Sequence, residues 1–494
     1  MKTRGSRHPW GVMMCASASL LAACQTPPRV AQRAPTVQRQ TDKSQRESVA
    51  VTIYNQNFGL VKDTRRLKLA AGRVELSFQD VSANIQPESV QLHSLTSGAT
   101  LRVLEQNYRY DLLTPNKLLE KYVGKHITVY RYDPRTGTEQ RQDAEVLSVE
   151  GGVTLRVGGE VTVAAMGAAA GESSWRFAFP EVPSSLLEKP SLVWLLDSDR
   201  AEQRVELSYL TRNLSWSADY VLKLSADDTR ADLSGWVTLD NKSGTSYENA
   251  TLRLVAGDVN RAPEPQLMER RRELFDASVA QPPEFQEQGL LEYHLYSLQR
   301  PTTLLDKETK QVSLLSAEGV AVVKKLVLNG QEYAYRGRYA ELPTNQKVGV
   351  FIELQNSAQN RLGMPLPKGT VRLYQADVGG SLQFVGEDAI DHTPRDEKLS
   401  LKVGEAFDVV ADRKQLEWSQ IGSCVGEGAF EIELRNHKDS QVQVELNEPA
   451  GGDWELLSQS QPSVKVDAAT FRFELAVPAR GSAKVSYRIR VRYC

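Results

Sequence analysis

Histidine and cysteine are scarce in this chain, six and four among 494 residues, and neither is clustered. His93, His126, His294, His392 and His437 lie too far apart for the spacing of a zinc-binding helix or knuckle, so the sequence implies no metal and no other cofactor. Also missing are a G-x-S-x-G elbow, a G-x-x-x-x-G-K phosphate loop and a G-x-G-x-x-G leading into a helix. Their absence removes the simplest hydrolase and nucleotide-binding readings. An excess of one charge is missing too: 60 basic residues face 62 acidic ones, and a formal net charge of −2 argues against a nucleic-acid partner. No internal repeat of fixed period is visible.

What is present begins at the amino end. In "MKTRGSRHPWGVMMCASASLLAACQTPP", Lys2, Arg4 and Arg7 precede a mostly apolar run from Trp10 to Leu21. Crossing a bilayer takes about 20 apolar residues, so this shorter run reads as a secretory signal, expected over residues 1–23. Its end, Leu21, Ala22, Ala23 and Cys24, resembles the lipobox of bacterial lipoproteins. That resemblance implies lipid on Cys24 and loss of the peptide before it; Cys15, after the bulky Met14, suits the motif less well. Gln25, where an aspartate would retain a lipoprotein at the inner membrane, resembles the pattern sorted to the outer membrane. Two or more acyl chains hold a protein stably, so a membrane gripped through lipid is the first expected partner. Removing Lys2, Arg4 and Arg7 with the signal takes the formal charge from −2 to −5. Residues 24–48 carry three prolines and no apolar period, and read as a disordered tether.

Beyond the tether the dominant period is two. Phe430, Ile432 and Leu434 alternate with charged neighbours; Val442, Val444 and Leu446 alternate with Gln443 and Glu445, and Val485, Tyr487, Ile489, Val491 and Tyr493 continue the alternation with polar residues between them. In "LSWSADYVLKL", Trp216, Ala218, Tyr220, Leu222 and Leu224 share one face. The pattern predicts a mainly β protein: tandem antiparallel, immunoglobulin-like sandwiches, a small inserted barrel-like β module and few short helices. The expected division is an N-terminal β-domain over 49–110, a helix-plus-β insertion over 111–170 and a central sandwich over 171–345. A further sandwich over 346–425 and a C-terminal one over 426–494 complete it. "TPNKLLEKYVGK" predicts the one clear helix, capped by Thr114 or Asn116 and stopped at Gly124. Residues 261–288, charged and bounded by prolines, read as a mobile loop, and Asn329-Gly330 as a two-residue hairpin turn.

Several blocks then look familiar together, in order: "YNQNFGLVKDTRRLKL", "YRYDLLTPNKLLEKYVGK", "LSYLTRNLSWSADYVLKL", "NKSGTSYENATLRLVAGDV", "YHLYSLQRPTTL" and "FVGEDAIDHTP". They resemble a bacterial domain-of-unknown-function family whose relatives include mucoidy-inhibitor-like proteins. The resemblance implies a β-rich architecture over most of the chain and brings no catalytic residues. The mucoidy label points toward envelope polysaccharide.

The densest polar cluster is "GEDAIDHTPRDE". His392 near Asp388 could serve as a general base, and the surrounding acids could hold calcium; a tight turn that satisfies its own backbone uses the same residue types, and that structural reading is favoured. Among the tryptophans, Trp236 has a parity opposed to its apolar neighbours and is the candidate for stacking on a sugar ring, with Trp175 as a second. Arg488, Arg490 and Arg492 form a basic stripe, read as a solvated outer face. Export places the body in an oxidising compartment. With Cys15 gone and Cys24 lipidated, Cys424 and Cys494 are expected to form a disulfide. The functional expectation is a non-catalytic envelope lipoprotein that binds or scaffolds another component, protein or polysaccharide. The alternatives are an envelope hydrolase using Asp388 and His392, and a carbohydrate-binding protein linked to exopolysaccharide.

Overall fold

The computed structural model describes residues 37–133, 137–164, 175–183, 185–257, 259–260 and 285–494. The expected signal, Cys15, Cys24 and most of the expected tether lie outside them, as does 261–284 of the expected loop. The chain is mainly β, with four sheets among the described residues and none closed into a barrel. Alternation explains the strands: Trp216, Ala218, Tyr220, Leu222 and Leu224 are all buried, and so are Phe430, Ile432, Leu434, Val485, Tyr487, Ile489 and Val491. Each such side chain taken fully from water contributes about 1.5–3 kcal/mol.

Three hydrophobic clusters organise the strands. The largest joins Val49, Val51 and Ile53 to Leu207, Tyr209, Leu252, Leu254, Leu222 and Leu239, so strands from both ends of the first 400 residues share one core. The second fills the C-terminal body around Phe430, Phe471, Phe473 and Tyr487. The third, around Ile127, Val129, Val146 and Leu155, belongs to the insertion.

The insertion departs from expectation. It is an open sheet of five strands in the order Glu160–Ala164, Val153–Val157, Thr138–Ser148, His126–Asp133, Trp175–Ala178, not a barrel. Its last strand lies beyond residue 170. The helix forms at Pro115–Lys121: Thr114 Oγ1 accepts the Lys117 N–H at 3.2 Å. Gly124 follows with φ +76°, and its N–H donates to Val146 O at 2.7 Å.

Other boundaries move for physical reasons. Val37–Thr41, inside the expected tether, forms a strand paired in parallel with Gly72–Gln79. As an edge strand it contributes backbone hydrogen bonds and buries only Thr41, so it leaves no apolar period to read. Residues 285–288 belong to the strand Phe285–Leu290, anchored by buried Phe285. The strands Glu308–Asn329 and Lys398–Gly422 run on from the first core into the second. Twenty-two extended residues span about 70 Å, more than one sandwich needs. The second core consequently takes in Leu326, Leu328, Val348, Ala406, Val409 and Ala411, and the expected borders at 345 and 425 fall inside it.

Asn329-Gly330 makes no hairpin turn. Gly330 N–H donates to Asn447 O at 2.7 Å, and the short helix Glu332–Tyr335 follows. Glycine is required there because a Cβ would stand 2.3 Å from Glu448 Oε2.

One local device occurs three times. Asn241, Asn356 and Asn436, all buried, each follow a Leu-x at the end of a strand. The Asn241 amide donates to Thr245 O, Leu304 O and Leu305 O and accepts the Ser243 N–H. Asn436 donates to Ser440 O, Val477 O and Pro478 O and accepts the Lys438 N–H. Asn356 donates to Met364 O and Pro394 O and accepts the Gly363 N–H. In the first and third copies the next strand begins opposite the carbonyl being held, Tyr247 against Leu304 and Val442 against Val477. The three stand 115 and then 80 positions apart, which is why no fixed period betrays them.

Candidate binding cleft

The polar cluster around His392 serves the backbone. His392 Nδ1 accepts the Lys368 N–H at 3.2 Å, which places the ring hydrogen on Nε2 in the neutral tautomer. Nε2 faces the Asn55 side-chain amide at 3.4 Å, and Asn55 Oδ1 is buried without a partner. Turning that amide by half a turn lets Nε2–H donate to Oδ1 and satisfies both groups. Asn55 belongs to the turn between the strands Arg46–Tyr54 and Phe58–Lys68, so His392 ties that hairpin to the loop after Leu382–Ile390. Asp388 is engaged elsewhere: Oδ1 accepts the Ala389 N–H at 2.9 Å and Oδ2 the Lys402 N–H at 2.7 Å. Among the described residues no three His, Cys, Asp or Glu side chains form a metal-holding group.

Six tryptophans lie among the described residues, and they divide by burial. Trp194 and Trp216 are buried; Trp175, Trp236, Trp418 and Trp454 are half-buried. Trp236, between buried Gly235 and Val237, lies opposite Asp219 and Ser313, and Trp175 is in a different sheet near Arg131. The two candidates therefore do not form one row. Two members of the basic stripe are paired: Arg488 with Glu417 and Glu427, and Arg490 with Glu427 at 3.1 Å and Glu455 at 3.9 Å. Cys424 and Cys494 are joined in a disulfide with Cα atoms 5.6 Å apart.

Two buried charge groups escaped sequence reasoning. Asp63 receives both Arg65 and Arg46, with Arg65 also stacked 3.7 Å from the Phe78 ring centre. In the C-terminal core, Arg413 and Glu448 meet in a two-pronged pair at 2.6 and 2.8 Å. Tyr335 donates to Glu448 and lies 2.6 Å from the Tyr487 hydroxyl. Burial, reinforced by the Glu448 charge, pushes both tyrosines well above their usual pKa.

A cleft of about 330 Å³ lies at the fork where Glu308–Asn329 leaves Gln346–Gln355. The departing strand pairs with Gln346–Gln355 through Val327 and then with Val442–Pro449 through Asn329. Binding sites favour such junctions between units. Gly349 and Phe351 form one wall; a Cβ on Gly349 would come 2.8 Å from Phe351 Cε2, so the ring leans across the glycine. Lys347, Lys402, Glu405 and Asn329, all exposed, stand around it. Two irregularities in the facing strand aim these groups: Val403 is skipped between Lys402 and Gly404, and residues 406–409 loop out opposite Val348. That loop carries Phe407, 85% exposed, 5.3 Å from Lys347 Nζ. Gly386 gives way to Val403, whose carbonyl would stand 2.0 Å from a Cβ there, and Asp388 holds the Lys402 N–H. Asp388 thus braces the wall of the cleft.

A family model described as a domain of unknown function, DUF4139, matches residues 205–494, more than half of the chain. The chain belongs to the DUF4139 family. A comparison with curated proteins finds no match. The DUF4139 region contains the cleft, His392, Asp388, Trp236 and the disulfide. It does not contain all of its own core: Leu207 and Tyr209 pack with Val49, Val51, Ile53 and Val61 from before the matched residues. The strand Glu202–Arg212, where the match begins, is flanked by Phe58–Lys68 and Gln91–Ser94.

Proposed function

We propose that this DUF4139 protein is an envelope lipoprotein, held at the outer membrane through Cys24, that binds or scaffolds another envelope component without catalysing a reaction. Kinship with mucoidy-inhibitor-like proteins is part of the same proposal. The observation that carries it is the use made of the reactive-looking side chains: His392 and Asp388 serve backbone amides, while the cleft at the strand fork presents exposed groups around an aromatic ring. A disulfide between Cys424 and Cys494 accords with an exported body. No described helix is long and apolar enough to cross a membrane.

The test combines two measurements on intact cells. Radiolabelled palmitate should enter the parent and not a Cys24→Ser variant. Crosslinking followed by capture should recover a discrete envelope partner, and protease shaving should report which face the body occupies. A parent that takes up no lipid would end the anchoring proposal; a protein that crosslinks to nothing in intact envelopes would end the binding one.

A further inference from the structure

We infer that the cleft at the strand fork holds one pyranose ring of an envelope glycan. The inference rests on the binding reading above and supplies its ligand class. Four observations lead to it. The cleft, about 330 Å³, is at the small end of the range of about 300–1,000 Å³ typical of ligand sites, which suits a single ring. One wall is the Phe351 ring leaning on Gly349 and half-buried, the flat apolar surface that the C–H face of a sugar covers. Around it stand donors and acceptors together: the lysine ammoniums of Lys347 and Lys402, the Glu405 carboxylate and the NH2 of Asn329, whose amide oxygen accepts from Asn447 at 3.1 Å. Hydroxyls, which both donate and accept, use such a mixed rim. Finally, exposed Phe407 beside Lys347 extends an aromatic surface past the rim, where the next unit of a chain would lie.

Two lysines against one glutamate leave open a neutral or a carboxylated sugar, and the test separates them. The full mature chain is titrated calorimetrically with cellohexaose, a neutral hexamer, and with a galacturonic acid hexamer. Saturable binding of either supports the inference, and the responding hexamer identifies the class. Phe351→Ala should weaken binding about tenfold, Phe351→Tyr should retain it, and both should melt with the parent. Replacing Lys347 and Lys402 with glutamine should weaken the acidic hexamer more than the neutral one. The inference is overturned if neither hexamer binds at millimolar concentration, or if Phe351→Ala leaves the affinity unchanged. If neither hexamer binds while a protein partner is still captured from envelopes, the glycan site falls and the scaffold reading stands.

Discussion

Removing the Glu448 carboxylate should cost far more than removing it together with Arg413. In the fold, Arg413 is 3% exposed and Glu448 is fully buried; their two hydrogen bonds, at 2.6 and 2.8 Å, account for both carboxylate oxygens. Glu448→Leu leaves a guanidinium in the C-terminal core with the Tyr487 hydroxyl 3.5 Å away, and an uncompensated buried charge of this kind costs about 3–5 kcal/mol. The core it belongs to draws on residues 326–350 and 406–494, roughly a hundred residues, for which 1 kcal/mol moves the melting point by about 4–8 °C. The variant should therefore melt about 15 °C or more below the parent. Arg413→Met with Glu448→Leu removes both charges and nearly keeps the volume, and the Tyr335 and Tyr487 hydroxyls, 2.6 Å apart in the fold, keep each other as partners. The double variant should recover most of the loss. Scanning calorimetry reads the melting points, and hydrogen exchange at Phe430 and Ile432 localises the effect. If Glu448→Leu melts within a few degrees of the parent, or the double variant loses the sum of the two single losses, the pair is not the linked unit described.

Three other outcomes are expected. Reducing the Cys424–Cys494 bond, whose partners are 70 residues apart, should destabilise the C-terminal core by about 4 kcal/mol through the freed chain entropy, measurable by urea unfolding with and without reductant. Stability should hold up to about pH 10 and fall above it: an unfolded tyrosine loses its proton near 10, whereas burial pushes Tyr247 to about 12 and Tyr209, Tyr220, Tyr335 and Tyr487 well up, so the folded state retains protons that the unfolded state releases. Absorbance at alkaline pH should show these rings ionising only as the protein unfolds. A fragment limited to 205–494 should lack a cooperative melting transition in its first core, because Leu207, Tyr209, Leu252 and Leu254 lose Val49, Val51, Ile53 and Val61; calorimetry beside the full chain checks this.

Wherever one face of a strand is buried, the sequence announces it. The rows at Trp216–Leu224, Phe430–Leu434 and Val485–Val491 are legible because period two is the direct imprint of a half-buried pleat. The Thr114 cap is equally local. What stays hidden depends on partners far along the chain. Val37–Thr41 gives only its backbone to the sheet. Gly330 looks like a turn residue, yet it is fixed by Glu448, 118 positions away. The Leu-x-Asn latch was open to view in three places, but its meaning lies in carbonyls contributed by later strands. The cleft was least visible. Lys347, Gly349 and Phe351 read as an ordinary solvent face until Lys402 and Glu405 are brought beside them by a strand that is twice interrupted.

The long strands Glu308–Asn329 and Lys398–Gly422 also have a mechanical consequence. They act as two beams running through adjoining blocks, so no single flexible joint separates the bodies. Bending one body against the other would shear ladder hydrogen bonds on both beams together, while a gradual change of twist would spread the load over many residues. A molecule lodged at the fork would stiffen the frame against torsion, and any signal it sends along the protein would travel as a change of pitch and not as the swing of a hinge.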